Sequence, residues 1–160
     1  MNLLDHGIQK FPVATVKVSS ADFGWRGVAA EVRSHPACEL PMFESTHTEI
    51  TIALRGRLGG VVSRSAGGER QFTSVDPGTV WITPQGIEEE ATRITKPLSD
   101  IAHIYLPQES FLKLTHEGYD AGSHRAIGYC ADVHDDLIRQ IGTSLVEEMM
   151  TPSAVGRLLA

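Results

Sequence analysis

The chain has 160 residues, of which 41% are hydrophobic and 21% are charged, and its formal net charge is −6. This length suits one domain with its own hydrophobic core, and the acidic charge argues against a surface that holds DNA phosphates by itself. No apolar run approaches the roughly 20 residues that span a bilayer, and no basic-then-apolar leader opens the chain. We therefore expect a cytoplasmic protein with no membrane partner.

The two cysteines, Cys38 and Cys130, are far apart in the chain and form no Cys-x-x-Cys pair. This usage argues against a zinc ribbon or a disulfide framework. We interpret both as small buried or half-buried thiols.

Most of the chain alternates between apolar and polar residues, as β-strands do. Residues 1–12 form a short arm that ends at Pro12, and strands follow from residue 13 to residue 106. In the clearest strand, 47–54, Ile50 and Ile52 lie on one face and Glu49 and Thr51 on the other. Glycine and proline turns separate the strands, and this spacing is typical of a sandwich or barrel. The predicted strands are 13–18, 26–33, 47–54, 58–63, 70–74, 79–83, 91–95 and 101–106.

The last part of the chain, 107–160, is predicted to be helical. A short helix is expected over Gln108–Glu117, and Asp132 is the expected N-cap of a longer amphipathic helix that Pro152 ends. Apolar residues recur at every fourth position of that helix as one stripe, which either joins two copies of the chain or packs on its own barrel. A further helix has barely begun at the last residue, so we expect a piece of a longer protein. The stripe comprises Val133, Leu137, Ile141, Leu145 and Met149.

Two motifs carry most of the information. Glu49 is followed after six residues by Gly56, and Gly78 is followed after five residues by Pro84-Gln85-Gly86. Glycines at such places make the tight turns that need a positive φ. Together the motifs resemble the two halves of the cupin signature, His-x-His…Glu…Gly and Gly…Pro-x-Gly…His. The resemblance implies a mainly β fold, a cupin-like jelly-roll barrel over 13–106 followed by C-terminal helices.

The chain departs from the cupin pattern at the metal ligands. In metal cupins three histidines and one glutamate hold a divalent metal, and Glu49 stands at the glutamate position. The first two histidine positions hold Phe43 and Ser45, and the last holds Glu89. Because a divalent site normally needs three or more converging ligands, we expect no metal and no cofactor.

The order of motifs over residues 10–160 also resembles the N-terminal half of the arabinose-operon (AraC) type of bacterial transcription regulator. A strand ends in Leu54-Arg55-Gly56, a turn segment runs from Pro77 to Gly86, and Leu106-Pro107 leads into a helix. The segment from Asp135 to Leu159 matches the helices that follow. The resemblance implies an effector-binding barrel, dimerisation through 107–160, and DNA binding only by a helix-turn-helix half downstream of this chain.

Candidate effector contacts are polar or aromatic residues predicted to face the barrel interior. His47 and Glu49 are either effector ligands or a polar pair satisfied inside the barrel, because buried polar groups need partners. Trp81 either stacks on a ligand or belongs to the core, and Glu89 fills a former ligand position. The full candidate set is His47, Glu49, Thr51, Trp81, Thr83, Glu89, His103 and Tyr105.

We found no nucleophile motif, phosphate loop or paired acid and base at a helical spacing, and we assign no catalytic residues. The sequence therefore predicts a non-enzymatic sensor whose partners are a small-molecule effector and a second copy of the chain. Two alternatives stay open. One is a stand-alone metal-dependent cupin enzyme, an isomerase or oxygenase, and the other is a carbohydrate- or metabolite-binding module without a regulatory partner.

Overall fold

The computed structural model describes residues 2–110 and 128–154. Antiparallel strands dominate these ranges, with one helix near each end, so the predicted mainly β class with a C-terminal helix is confirmed. The helices are α1 (Asp5–Lys10) and α2 (Asp136–Met150). The strands are β1 (Thr15–Ser19), β2 (Ala29–His35), β3 (Cys38–Leu40), β4 (Phe43–Glu44), β5 (Thr48–Ala53), β6 (Val61–Ala66), β7 (Glu69–Ser74), β8 (Val80–Thr83), β9 (Glu88–Glu89), β10 (Ala91–Ile94), β11 (Leu98–Leu106) and β12 (Cys130–Val133).

The larger sheet has six strands in the order β1-β2-β11-β5-β8-β12. Alternation along each strand gives this sheet two different faces. Ile52 and Val80 on one face pack with Val146 of α2, whereas Glu49 and Thr51 on the other face point into the barrel and line its cavity. The predicted division of the central strand into an apolar and a polar face is therefore found in β5.

The smaller sheets complete the cupin-like barrel. One has the order β3-β10-β6-β7, and β4 pairs with β9 alone. An apolar cluster that includes Trp81 and Ile101 of the larger sheet and Val62 of β6 fills part of the interior. Gly78 and Gly86 adopt φ of 85° and 84°, the left-handed geometry that the cupin-like motif predicts for its turns.

Helix α2 corrects two sequence predictions. Its N-cap is Asp135, whose side chain accepts a hydrogen bond from the Ile138 backbone N–H at 3.0 Å. The predicted N-cap, Asp132, lies in β12 with a positive φ of 53°. Val133 also lies in β12, where it pairs with Val80.

The predicted stripe does not form one face of α2. Leu137 and Ile141 are exposed by 65% and 52%, Leu145 is half-buried, and Met149 is buried with Val146. Steps of four residues advance about 40° around a helix with 3.6 residues per turn. The stripe therefore winds from the solvent side of α2 to the side packed on the sheet.

The N-terminal arm is also more ordered than predicted. It contains α1, which buries His6, Gly7 and Lys10 against the barrel. Of the predicted helix Gln108–Glu117, residues 108–110 are helical and the rest lies outside the described residues, as does most of the segment after Pro152. Neither cysteine forms a disulfide, and both are half-buried. No helix in the described ranges is long and apolar enough to cross a membrane.

Candidate functional site

A buried ammonium group lies between two buried carboxylates inside the barrel. Lys10 Nζ donates to Glu49 Oε1 at 2.6 Å and to Glu89 Oε1 at 2.5 Å. The three residues are only 4%, 1% and 2% exposed. Lys10 ends α1, Glu49 belongs to β5 and Glu89 to β9, so the ion pairs join the N-terminal helix to two strands that are distant in sequence.

The pKa shifts of Lys10 and Glu49 both favour the ionised form. Burial opposes the charged form of Lys10, but Glu49 and Glu89 outweigh it and raise the lysine pKa above its ordinary value. Burial alone would also raise the pKa of Glu49. The nearby Lys10 charge and the hydrogen bond from His103 hold that pKa well below its usual range. Ionised groups this deep in a protein are tolerated when they are paired and hydrogen-bonded.

Two histidines extend the cluster by hydrogen bonds. His103 Nδ1 lies 3.1 Å from Glu49 Oε2, and His103 Nε2 lies 2.9 Å from His35 Nε2. A carboxylate accepts only, so His103 donates to Glu49 from Nδ1, and one of the two Nε2 atoms donates to the other. Burial, with a contribution from His103, lowers the pKa of His35 to about 3. His35 is therefore uncharged at neutral pH.

Arg64 balances the second carboxylate. Its Nη1 donates to Thr83 Oγ1 at 2.8 Å and lies 3.9 Å from Glu89 Oε2. Its guanidinium stacks 4.3 Å from the ring centroid of Tyr129, whose hydroxyl donates to Glu89 Oε2 at 3.1 Å. With Lys10 and Glu49 included, two basic side chains face two acidic side chains, and the formal charges of these four groups cancel.

A small cavity adjoins this cluster. Its volume is about 50 Å³, which exceeds the 10–15 Å³ that one buried water needs. Lys10, Glu49 and Glu89 lie on its polar side. Its apolar side is formed by Leu40, Val62, Trp81, Ile94, Leu98 and Ile101. The space accepts a few waters or a few ligand atoms.

The structure brings together most of the predicted lining residues. Three of the eight lie outside the cavity lining. Thr83 is buried and bonded to Arg64, and Tyr105 donates instead to Glu31 at 2.7 Å. His47 immediately precedes β5 in a bend, where it is half-buried and stacked near His6, and its contact with an effector stays a prediction. The five that line the cavity are Glu49, Thr51, Trp81, Glu89 and His103; their contact with an effector stays a prediction.

Sequence reasoning missed several residues of the site. Arg64 and His35 could have been predicted, because alternation along a strand places each of them on the same inward face as the residue two positions before it. Lys10 gave no such signal, since a single lysine in a short arm looks like a solvated surface residue. The missed lining residues include Lys10, Phe11, His35, Arg64 and Thr92.

The residues at the cupin metal positions do not fit a divalent metal. Phe43 contributes a ring 6.0 Å from Lys10 Nζ rather than a ligand atom. Glu49 and Glu89 are carboxylates, but a covalently attached cation already lies between them. Among the described residues no group of three or more His, Cys, Asp or Glu side chains is arranged to hold a metal ion. In this barrel the ammonium group of Lys10, and not a metal ion, is the cation between the two carboxylates.

A second buried cluster anchors α1. Glu31 accepts from Arg33 Nε at 2.6 Å and from the Tyr105 hydroxyl at 2.7 Å. Gly7 packs directly on these groups, because a Cβ added there would collide with the Glu31 carboxylate and lie 2.5 Å from the Tyr105 oxygen. Phe11 also contributes, since its carbonyl accepts from Arg33 Nη1 at 3.3 Å. Helix α1 is thus packed closely against the barrel strands, and we refer to it as a plug.

The chain matches no protein-family model and no curated protein sequence. Solved structures with similar folds include a putative ethanolamine utilization protein Q from Salmonella typhimurium LT2, with 17% identity over 59% of this chain and 68% of that chain (TM-score 0.44). A cupin domain from Bordetella pertussis Tohama I has 12% identity over 59% and 91% (0.43), and KdgF from Halomonas sp. has 15% over 60% and 80% (0.45). At these values the similarities carry no argument about activity.

Proposed function

We propose that the barrel is the non-catalytic effector-binding and dimerisation domain of an AraC-type transcription regulator. In this proposal a small molecule binds inside the barrel and changes the placement of a helix-turn-helix half that lies outside residues 1–160. The observation that carries it is the buried contact of Lys10 with Glu49 and Glu89 beside the cavity. This contact makes the interior of the barrel and the N-terminal helix one connected unit.

The connection supplies a route from ligand to conformation. Lys10 is itself a lining residue of the cavity, and the same side chain fixes the end of α1. A ligand that disturbs the Lys10 ion pairs therefore favours arrangements in which α1 is displaced. Such a ligand shifts the population of states only through its unequal affinity for them.

The outer side of α2 supports the dimerisation part of the proposal. Leu137 and Ile141 lie one turn apart and are exposed by 65% and 52%. Large apolar side chains adjacent on one helix favour burial against another surface. We propose that this side meets its counterpart in a second copy.

The alternative function, a metal-dependent cupin enzyme, has one observation in its favour. Glu49, Glu89 and His103 all line the cavity, and each of these residue types ligates divalent metals. Against it stands Lys10, whose positive charge lies between the two carboxylates. A metal would have to expel this ammonium group before binding.

A thermal-shift screen tests the proposal. The chain is heated with sugars, organic acids, aromatic metabolites, amines and divalent metals, because a ligand that binds only the folded state raises the melting temperature. Saturable stabilisation by an organic compound, with no effect of metals or chelators, is the expected result. Stabilisation by a metal alone, reversed by chelator, would favour the enzyme instead.

A further inference from the structure

We propose that the barrel interior is a binding site for a small primary ammonium ion, and that the Lys10 side chain is its resident occupant. The effector class of the sensor is then an alkylamine that takes the place of Lys10. This inference rests on the proposed function and adds to it the chemistry of the ligand.

The contacts of Lys10 define what the site recognises. Its Nζ donates to two carboxylate oxygens at 2.6 Å and 2.5 Å, and the rings of Phe11 and Phe43 lie 5.4 Å and 6.0 Å from it. Charge-assisted hydrogen bonds need N–H donors, which a primary ammonium has and a quaternary ammonium lacks. The aromatic rings add cation–π attraction to the same positive charge. The site therefore selects a protonated amine.

The charges around the site exclude other ligand classes. If Lys10 withdraws, the one Lys or Arg side chain that still lies within 4 Å of Glu49 or Glu89, among the residues that the structure describes, is Arg64, at 3.9 Å from Glu89. An anionic ligand would add a third negative charge, and a neutral ligand would leave a buried carboxylate unpaired, which is strongly unfavourable. A cation restores the balance that the structure shows with Lys10 in place.

The neighbouring cavity offers room for the rest of such a ligand. It adjoins Lys10, Glu49 and Glu89, and its other wall includes Val62, Trp81 and other apolar side chains. These groups suit an alkyl chain that follows the path of the lysine stem. Its own volume is about 50 Å³, and withdrawal of the lysine stem enlarges it.

Competition with Lys10 sets the expected strength of binding. A tethered group has an effective concentration in the millimolar range, so an amine must exceed this range or gain affinity from the apolar wall. Displacement of Lys10 frees the end of α1, which links amine binding to the position of the N-terminal helix. Removal of the lysine should therefore increase amine affinity.

Chemical rescue of Lys10→Ala tests the inference, because the atoms that this change removes, from Cγ to Nζ, are those of n-propylammonium. Lys17→Ala is the matched control, since it breaks a surface ion pair with Asp100 instead. Thermal melts and calorimetric titrations use n-propylammonium chloride, 1-propanol, tetramethylammonium chloride and sodium chloride. Wild-type protein is titrated with the same compounds to roughly 100 mM, well above the effective concentration of the tethered lysine.

We expect n-propylammonium alone to raise the melting temperature of Lys10→Ala, and to bind it at least about tenfold more tightly than wild type, where it competes with the tether. Wild-type protein should show weak but saturable binding. If Lys10→Ala does not fold, the wild-type titration tests the inference, because it needs no variant.

Three results would overturn the inference. One is a folded Lys10 variant that the amine does not stabilise more than the alcohol or salt does. Another is a rescued variant with a wild type that does not respond to amines, which would make Lys10 a structural plug only. The third is a wild type that the sugars or organic acids of the thermal-shift screen stabilise but amines do not; the sensor proposal would then stand. If no compound of that screen and no amine binds, both proposals fail.

Discussion

Replacing Lys10 by methionine should destabilise the protein far more than the loss of a surface lysine does. The change keeps an apolar stem of similar length but removes the charge that faces Glu49 and Glu89 at 2.6 Å and 2.5 Å. Removing one partner of a buried ion pair costs about 3–5 kcal/mol, because the remaining charge stays buried and unpaired. For a domain of this size, that loss lowers the melting temperature by roughly 6–20 °C.

Urea unfolding at pH 7 measures this cost directly. Lys17→Met is the control, because the Lys17 and Asp100 side chains are 45% and 23% exposed and such a pair contributes at most about 1 kcal/mol. The double variant Lys10→Met/Glu49→Gln should recover part of the loss, since one unpaired carboxylate is gone. A loss below about 1 kcal/mol for Lys10→Met would refute the assignment of Lys10 as the essential counter-ion.

The Lys10→Met variant should also respond to acid differently from wild type. In wild type the pKa of Glu49 is held well below its ordinary value, so its stabilising contribution is present above the unfolded pKa of about 4.5 and is lost as pH falls through the folded pKa. Without Lys10, burial raises that pKa, and protonation then favours the folded state. The difference in unfolding free energy between wild type and Lys10→Met should therefore shrink below pH 5. A constant difference would contradict the ion-pair explanation.

Three further predictions test other parts of the structure. Burial and His103 lower the pKa of His35 to about 3. The free energy of unfolding should therefore fall by up to about 1.4 kcal/mol per pH unit below the unfolded pKa of this histidine. His35→Gln should flatten this slope in urea titrations at pH 7, 6 and 5, and parallel slopes for variant and wild type would contradict the prediction. Gly7→Ala should cost about 1–3 kcal/mol, because the added methyl group would overpack α1 against Glu31 and Tyr105. Ile8→Ala, at an exposed position of the same helix, should be nearly neutral. Equal effects of the two changes in urea unfolding would argue against this close packing. Leu137→Asp should convert a dimer to monomers in sedimentation equilibrium without loss of fold. Leu58→Asp, at an exposed apolar residue outside α2, should leave the dimer intact. A monomeric wild type would remove the dimer proposal.

Features with a local cause were predictable from the sequence. The inward face of β5 follows from alternation, which places Glu49 and Thr51 two residues apart on one side. The turn glycines Gly78 and Gly86 have the positive φ that their motif requires. His103 lines the cavity for the same periodic reason as Glu49. Period and turn chemistry were therefore enough to predict a sandwich or barrel, and the cupin resemblance added which polar residues face the interior.

Features that depend on distant contacts were not predictable. Helix α1 has only six residues, which is too short to be stable alone, and its burial follows from Gly7 packing on Glu31 and Tyr105. That contact leaves no periodic trace in the sequence. The buried face of α2 does leave one, because Ile138, Val146 and Met149 pack on the sheet at helical spacing. The predicted stripe missed this face because it advanced in steps of four residues throughout.

Glu89 and Lys10 depend on each other, and this dependence gives the altered cupin positions a physical meaning. A carboxylate at the place of a neutral histidine adds a negative charge to an interior that already holds Glu49. That charge is not tolerable when buried unless a cation lies beside it. A buried lysine without carboxylates would be equally unfavourable. In the sequence, Glu89 is recognisable as a residue at a former metal-ligand position. In the structure, Glu89 and Glu49 contact the ammonium group of Lys10, which is covalently attached to the chain, in place of an exchangeable metal cation. A barrel built in this way retains a cation-binding centre, and the tether of that cation is the helix that closes the barrel.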